Sequence, residues 1–293
     1  MQRGFETVHH LVSALRTELS LGPAPRFALL SRFGFDFLGG SARRSRPIEL
    51  ALPAGCGRLL ARRITLGGVT VLALDVEATT GRDAFDDALP VLIAGQLRLR
   101  GVVDLLAACG LEGFGCAPTL ATVRDWIRFG DEDPLRGLDL SRAGPRFPEM
   151  RGLADRPELR AADELLRRRG FSKPAVAIAR RGPSGATDAE LAVYRRLGAD
   201  LLVEGAGAEA VAARQQGLPH VTLALVLDAV DAAPHADPGA LADAAGALLP
   251  KLAELLPELL RRLDSRGNSR DNAGLGDLGD SDRSNEHEEE LAT

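Results

Sequence analysis

PAVAIARRGPSGATDAELAVYRRLGADLLVEGAGAEAVAARQQGLPHVTLALVLD, residues 174–228, decides how the rest of the chain is read. PAVAIAR (174–180), DLLVEG (200–205) and HVTLALVL (220–227) are short runs of Val, Ile, Leu and Ala, the composition of buried strands. Between them, 188–197 and 208–214 have helical character and stop at Gly198 and near Gly217, where glycine is the expected terminator. Strand, helix, strand, helix, strand in this order implies a parallel or mixed sheet with helices on both faces.

The same alternation extends in both directions. Residues 6–20 place Val8, Leu11, Val12, Leu15 and Leu19 on one helical stripe, which Pro23 and Pro25 end. FALLS (27–31) is a strand, followed by the Gly- and Phe-bearing turn RFGFDFLGG. Three further runs, 48–52, 58–66 and 69–78, are separated by Gly-containing turns and predict an antiparallel ribbon. Residues 83–99 are helical by period, and 102–109 and 119–127 are buried strands. The stretch 129–150 is too dense in Pro and Gly for regular structure, and a loop of that length in a folded domain is usually functional. Pro157 opens a helix that closes on Gly170, and 238–263 is a long amphipathic helix interrupted at Pro250 and Pro257. The fold class is therefore α/β: a single domain with a central mixed, twisted sheet flanked by helices. After Leu263 the composition turns to Asp, Gly, Ser and Asn with too little to bury, so 1–263 is expected to fold and 264–293 to be an acidic disordered tail.

Composition excludes several classes of function. From Asp264 onward nine acids face three arginines, so most of the net charge of −5 lies in that segment and the body is close to neutral. A near-neutral body lacks the basic footprint of a nucleic-acid-binding protein. No apolar run approaches the roughly 20 residues that span a bilayer, and the first 20 residues lack the apolar core of a signal peptide. A cytoplasmic protein without membrane partners is expected. Cys56, Cys109 and Cys116 match no metal or redox spacing and are expected to be small apolar fillers.

Three segments resemble the trimeric purine nucleoside phosphorylase family, which includes the methylthioadenosine phosphorylases. DPLRG…GPRFPEM (133–150) is close to NPLRG…GPRFPDM, and GPSGATDAELAVYRRLGADLL (182–202) is similar to GPxFETxAExRxxxxLGADxV. EAVAARQQGLPHVTLALVLD (209–228) resembles EVIAARHxGLxVxxxSxxTN, and LAACGL (106–111) resembles NAAGGL. The order and intervals agree from about Pro25 to Leu263. The resemblance implies a nucleoside phosphorylase fold, a homotrimer or a mixed trimer with a paralogue, and reversible phosphorolysis. In that reaction phosphate attacks the sugar C1′ and the purine leaves. The implied partners are a purine nucleoside and phosphate as co-substrate, with no cofactor and no metal. The chemistry needs cations and N–H donors around phosphate, and groups that hold charge on the departing base.

Carried over residue by residue, the family's site falls on groups of a different kind. Its phosphate-binding serine after the first strand falls on Ser31, or on Phe33 by strict counting. Its phosphate Arg and neighbouring His fall on Asp75 and Glu77, and the Tyr and Glu that follow fall on Thr79 and Thr80. The base-binding Glu falls on Ala186, after Gly185 in place of an aromatic. A Met-Ser pair falls on Glu204 and Gly205. The Asn that stabilises the leaving purine falls on Asp228, an exchange compatible with 6-aminopurines. Leu105 and Leu106 stand for Thr-Asn, with Ala107 next in the pocket. The aromatic lent across the trimer falls on Ala143, and His235 is the candidate for the sugar-binding His.

Three functions compete. The first is a non-catalytic or strongly impaired family member serving as an assembly or regulatory subunit. The second is a diverged pentosyltransferase whose rearranged pocket uses Arg32 or Arg82 to grip the anion. The third is a cation site formed by Asp75, Glu77, Glu204 and Asp228, since hard cations take carboxylate oxygens.

Overall fold

The computed structural model describes residues 4–19, 22–52, 57–78, 83–114, 118–128, 133–136, 144–171, 173–180, 185–229 and 237–274, with the side chains of 41, 78 and 266–274 left aside. The strands are β1 (Phe27–Ser31), β2 (Arg43–Arg44), β3 (Ile48–Ala51), β4 (Gly57–Leu66), β5 (Val69–Ala78), β6 (Gly101–Gly110), β7 (Thr119–Arg128), β8 (Ala175–Arg180), β9 (Leu201–Glu204) and β10 (His220–Ala229). The helices are α1 (Phe5–Leu19), α2 (Ala84–Gln96), α3 (Pro157–Arg168), α4 (Asp188–Arg196), α5 (Ala208–Gln215) and α6 (Pro238–Gly274), and a 3-10 turn covers Asp36–Ser41. The strand order is β10-β7-β8-β9-β6-β1-β5-β4-β2, with β3 on β4. A further pairing of β10 with β6 closes the first five strands into a barrel. The sheet is mixed: β1 pairs in parallel with β5 and β6, while β3, β4 and β5 form the antiparallel ribbon that the sequence predicts.

Alternation along the strands sorts most buried side chains into three large cores. Ala28, Leu30, Leu72, Leu74 and Val102 meet α1, α2 and α5 on one face. Phe27, Leu29, Val71, Ala73, Val103 and Leu105 meet α3 and α6 on the other. Leu106, Ala108, Ala121, Ala177, Val203 and Ala224, drawn from all five barrel strands, fill the barrel. The amphipathic stripe on α1 is buried where the sequence puts it, through Val8, Leu11, Val12 and Leu15.

α6 differs from the expectation. It continues through Leu263 to Gly274, and the residue after Leu263 is held by the body of the fold. The Asp264 carboxylate accepts hydrogen bonds from Arg26 and, at 3.0 Å, from Arg100, tying the helix to the start of the central strands. An acid that in sequence looks like the first residue of a solvated tail is a tertiary anchor. Pro250 and Pro257 lie inside the helix without ending it.

Candidate active site

The carboxyl end of β1 lies beside the middle of β6 and that of β10 beside the end of β6, on the side of the parallel strands where α/β sheets bind ligands. Ser31 pairs with Leu105, and Ala107 lies two residues farther along β6. Because Leu29, Ala73 and Leu105 belong to the core under α6, the period of two puts Ser31, Asp75, Glu77 and Ala107 on that same face of the sheet. Ala107 is exposed there. Asp228 ends β10 just after a bulge, pairs with Cys109, and accepts the Ala229 N–H at 2.8 Å. Asp228 is therefore brought close along the strands to the other positions expected of a pocket.

The polar groups at these strand ends are engaged in local contacts. The Ser31 hydroxyl donates to the Gly34 carbonyl at 2.7 Å and accepts from the Phe33 N–H at 3.3 Å, closing the turn after β1. Glu77 accepts from Arg58 Nε at 2.6 Å, and Arg58 Nη1 reaches Glu49 at 3.0 Å. This is an exposed cross-strand cluster, in which Glu77 first and then Glu49 raise the Arg58 pKa above its ordinary value. Phe33 and Phe37, with ring centroids 5.8 Å apart, pack on the core beneath the turn.

Arg32 cannot serve the same face as its neighbour Ser31. It turns to the α2/α5 side, where Nη1 donates to Asp87 at 3.1 Å and Nη2 to Glu209 at 2.5 Å. Asp87, Glu209 and nearby Asp104 are 1%, 3% and 1% exposed. Burial on its own would lower the Arg32 pKa, but Glu209, Asp87 and Asp104 outweigh it and raise the value, so the guanidinium is held charged. Sequence reasoning offered Arg32 as an anion grip and missed its partners. Acids inside an apolar helix such as AFDDALPVLIAG were the available signal, since buried acids need partners.

Gly205 and Gly207 join β9 to α5 with φ of +55° and +102°. A Cβ at 205 would lie 3.4 Å from Arg32 Nη1, so this segment packs directly on the buried guanidinium. Glu204 is exposed and registers with Arg180. Ala186 immediately precedes α4, whose cap is Thr187. The Thr187 hydroxyl accepts the Glu190 N–H, and the Glu190 carboxylate accepts the Thr187 N–H. The Thr and Glu of the GATDAE match are thus explained by helix capping.

Among the described residues no three His, Cys, Asp or Glu side chains assemble into a metal-binding group, so the structure lends no support to a cation site. No described helix is long and apolar enough to cross a membrane. Cys109 is a free thiol. Thr79, Thr80, Arg82, Ala143, His235, Cys56 and Cys116 lie outside the described residues.

No protein-family model matches the sequence. The chain is 27% identical over 188 residues to a purine nucleoside phosphorylase of Bos taurus, covering 62% of this chain and 65% of that protein. It is 27% identical over 162 residues to purine nucleoside phosphorylase 1 of Bacillus subtilis, covering 53% and 58%. The match thus spans less than two thirds of either relative. Among solved structures, a Schistosoma mansoni purine nucleoside phosphorylase in complex with adenosine superposes with a TM-score of 0.77 at 18% identity, covering 89% of this chain and 98% of that one. Isoform 2 from the same organism, in complex with cytosine and ribose-1-phosphate, gives 0.75 at 17% identity, covering 90% and 98%. The fold is that of the nucleoside phosphorylases. Over the matched residues the sequence is similar to purine nucleoside phosphorylases.

Proposed function

We propose that this protein is a purine nucleoside phosphorylase family member in which phosphorolysis of purine nucleosides to free base and pentose 1-phosphate is abolished or strongly impaired. The observation that carries the reading is the pair Asp75 and Glu77. They stand on the α6 face of β5, where the resemblance calls for Arg and His, and Arg32, one of the two guanidiniums offered as a substitute, is turned to the opposite face by Asp87 and Glu209. A carboxylate in place of a cation about 4 Å from phosphate exchanges an attraction of about 4 kcal/mol for a repulsion of similar size at an effective dielectric near 20. Ala186 and Gly205 supply no side-chain donor or acceptor for base or phosphate. On this reading the protein is a cytoplasmic homotrimer, or a subunit of a mixed trimer, and uses no cofactor.

The test is purine release from inosine, guanosine, adenosine and methylthioadenosine in phosphate buffer. Turnover is expected at least a thousandfold below the roughly 10 s⁻¹ common among enzymes, and a rate near that value would overturn the proposal. A diverged active phosphorylase is the second reading, favoured by Asp228 at the end of β10, which suits a 6-amino group. It requires measurable turnover of adenosine or methylthioadenosine with inosine inert.

A further inference from the structure

We propose that Arg32 is a positioning residue, whose ion pairs with Asp87 and Glu209 lock together two segments, the turn after β1 and the Gly205–Gly207 link into α5. Arg32 is the first residue after β1, so its backbone belongs to the turn that Ser31 closes on Gly34. Its guanidinium crosses to Asp87 on α2 and Glu209 on α5. The second oxygen of Glu209 accepts the Gly207 N–H at 3.1 Å, so one carboxylate holds both the guanidinium and the link. The link is also held by its own backbone, the Gly205 N–H donating to Arg180 O at 2.7 Å. Gly205 and Gly207 have left-handed backbones that offer little resistance of their own to rearrangement. A charged group with fork geometry, held by two carboxylates, supplies the rigidity that the glycines lack.

This role depends on the protein folding as described and, for ligand binding only, on the function proposed above. The experiment is hydrogen exchange on the full chain for wild type, Arg32→Met, Arg32→Lys and Glu209→Gln. In Arg32→Met, exchange of peptides covering 203–208 should rise at least tenfold more than exchange of peptides covering 101–110 and 220–229, and Arg32→Lys should recover part of the difference. A uniform rise in all peptides would reduce Arg32 to ordinary stabilisation and overturn the proposal, as would an unchanged 203–208. If Arg32→Met does not fold, Glu209→Gln, which keeps size and removes charge, is judged by the same ratio. Adenosine titrated into wild type and Arg32→Lys forms a separate arm. Tight, phosphate-dependent binding of adenosine to wild type would count against the proposed function, while the exchange ratio alone decides the role of Arg32.

Discussion

At the carboxyl end of β1 two consecutive residues enter different environments. Ser31 faces the α6 side, where the acids Asp75 and Glu77 share its face of the sheet and Glu77 is tied to Arg58 at the surface. Arg32 faces the α2/α5 side, where it is clasped by carboxylates that are almost wholly buried. The chain has placed its strong charge interactions on the α2/α5 side and left weak, solvent-screened ones on the α6 side. In an enzyme that handles phosphate the reverse is required, with charge preorganised toward the ligand.

Breaking the buried side should have the largest effect. Arg32→Met leaves Asp87 and Glu209 without their guanidinium, and removing one member of a buried ion cluster costs about 3 kcal/mol or more. Urea denaturation should register a loss of that order, and a loss under 1 kcal/mol would place the cluster with ordinary surface pairs.

A titration provides the next test. His220 opens β10 beside Arg156, in a small cavity also lined by Val123, Leu159 and Ala213. Burial, and then Arg156, push its imidazole down to about 4. Because the folded value lies below the unfolded one of about 6.5, protonation favours the unfolded chain. The contribution of His220 is complete above pH 6.5, declines as the pH falls toward 4, and is then exhausted. The decline should be roughly 2 kcal/mol, allowing for partial exposure. His220→Gln should remove this component of the pH dependence, and an unchanged slope would assign it to carboxylates elsewhere.

Asp264→Asn is a smaller perturbation at the end of α6. Two arginines lose a charged acceptor that is 13% exposed, while they remain 50% and 33% exposed. The expected loss is about 0.5–1 kcal/mol, read as a fall in melting temperature that 1 M salt should largely hide. Glu77→Gln comes last. Both partners of Glu77 and Arg58 are about half exposed, and such pairs often contribute nothing measurable. No change in melting temperature is expected, and a clear drop would mean that the strand-end acids support the fold after all.

Much of the fold was legible in the sequence because period and composition report directly on burial. The β-branched and Leu-rich run at 220–227 became β10, and the Pro157 and Gly170 signals enclosed α3. The end of α6 was not legible, since a terminal acid reads alike whether it meets water or two distant arginines. At the candidate site the sequence could place Asp75 and Glu77 at a strand end, and strand alternation in the structure put them on one face with Ser31. It could not say where Arg32 points. That direction followed from strand phase and from carboxylates 55 and 177 residues away.

What the sequence by itself determined is the succession of strands and helices, the apolar faces, and the resemblance to nucleoside phosphorylases. All are set by local spacing and short-range chemistry. What only the tertiary structure decided is the closure of β10 on β6, the anchoring of Asp264, and the partners of Arg32. Each depends on groups remote in the chain meeting in space, and the energy of a charge is set by what surrounds it after folding.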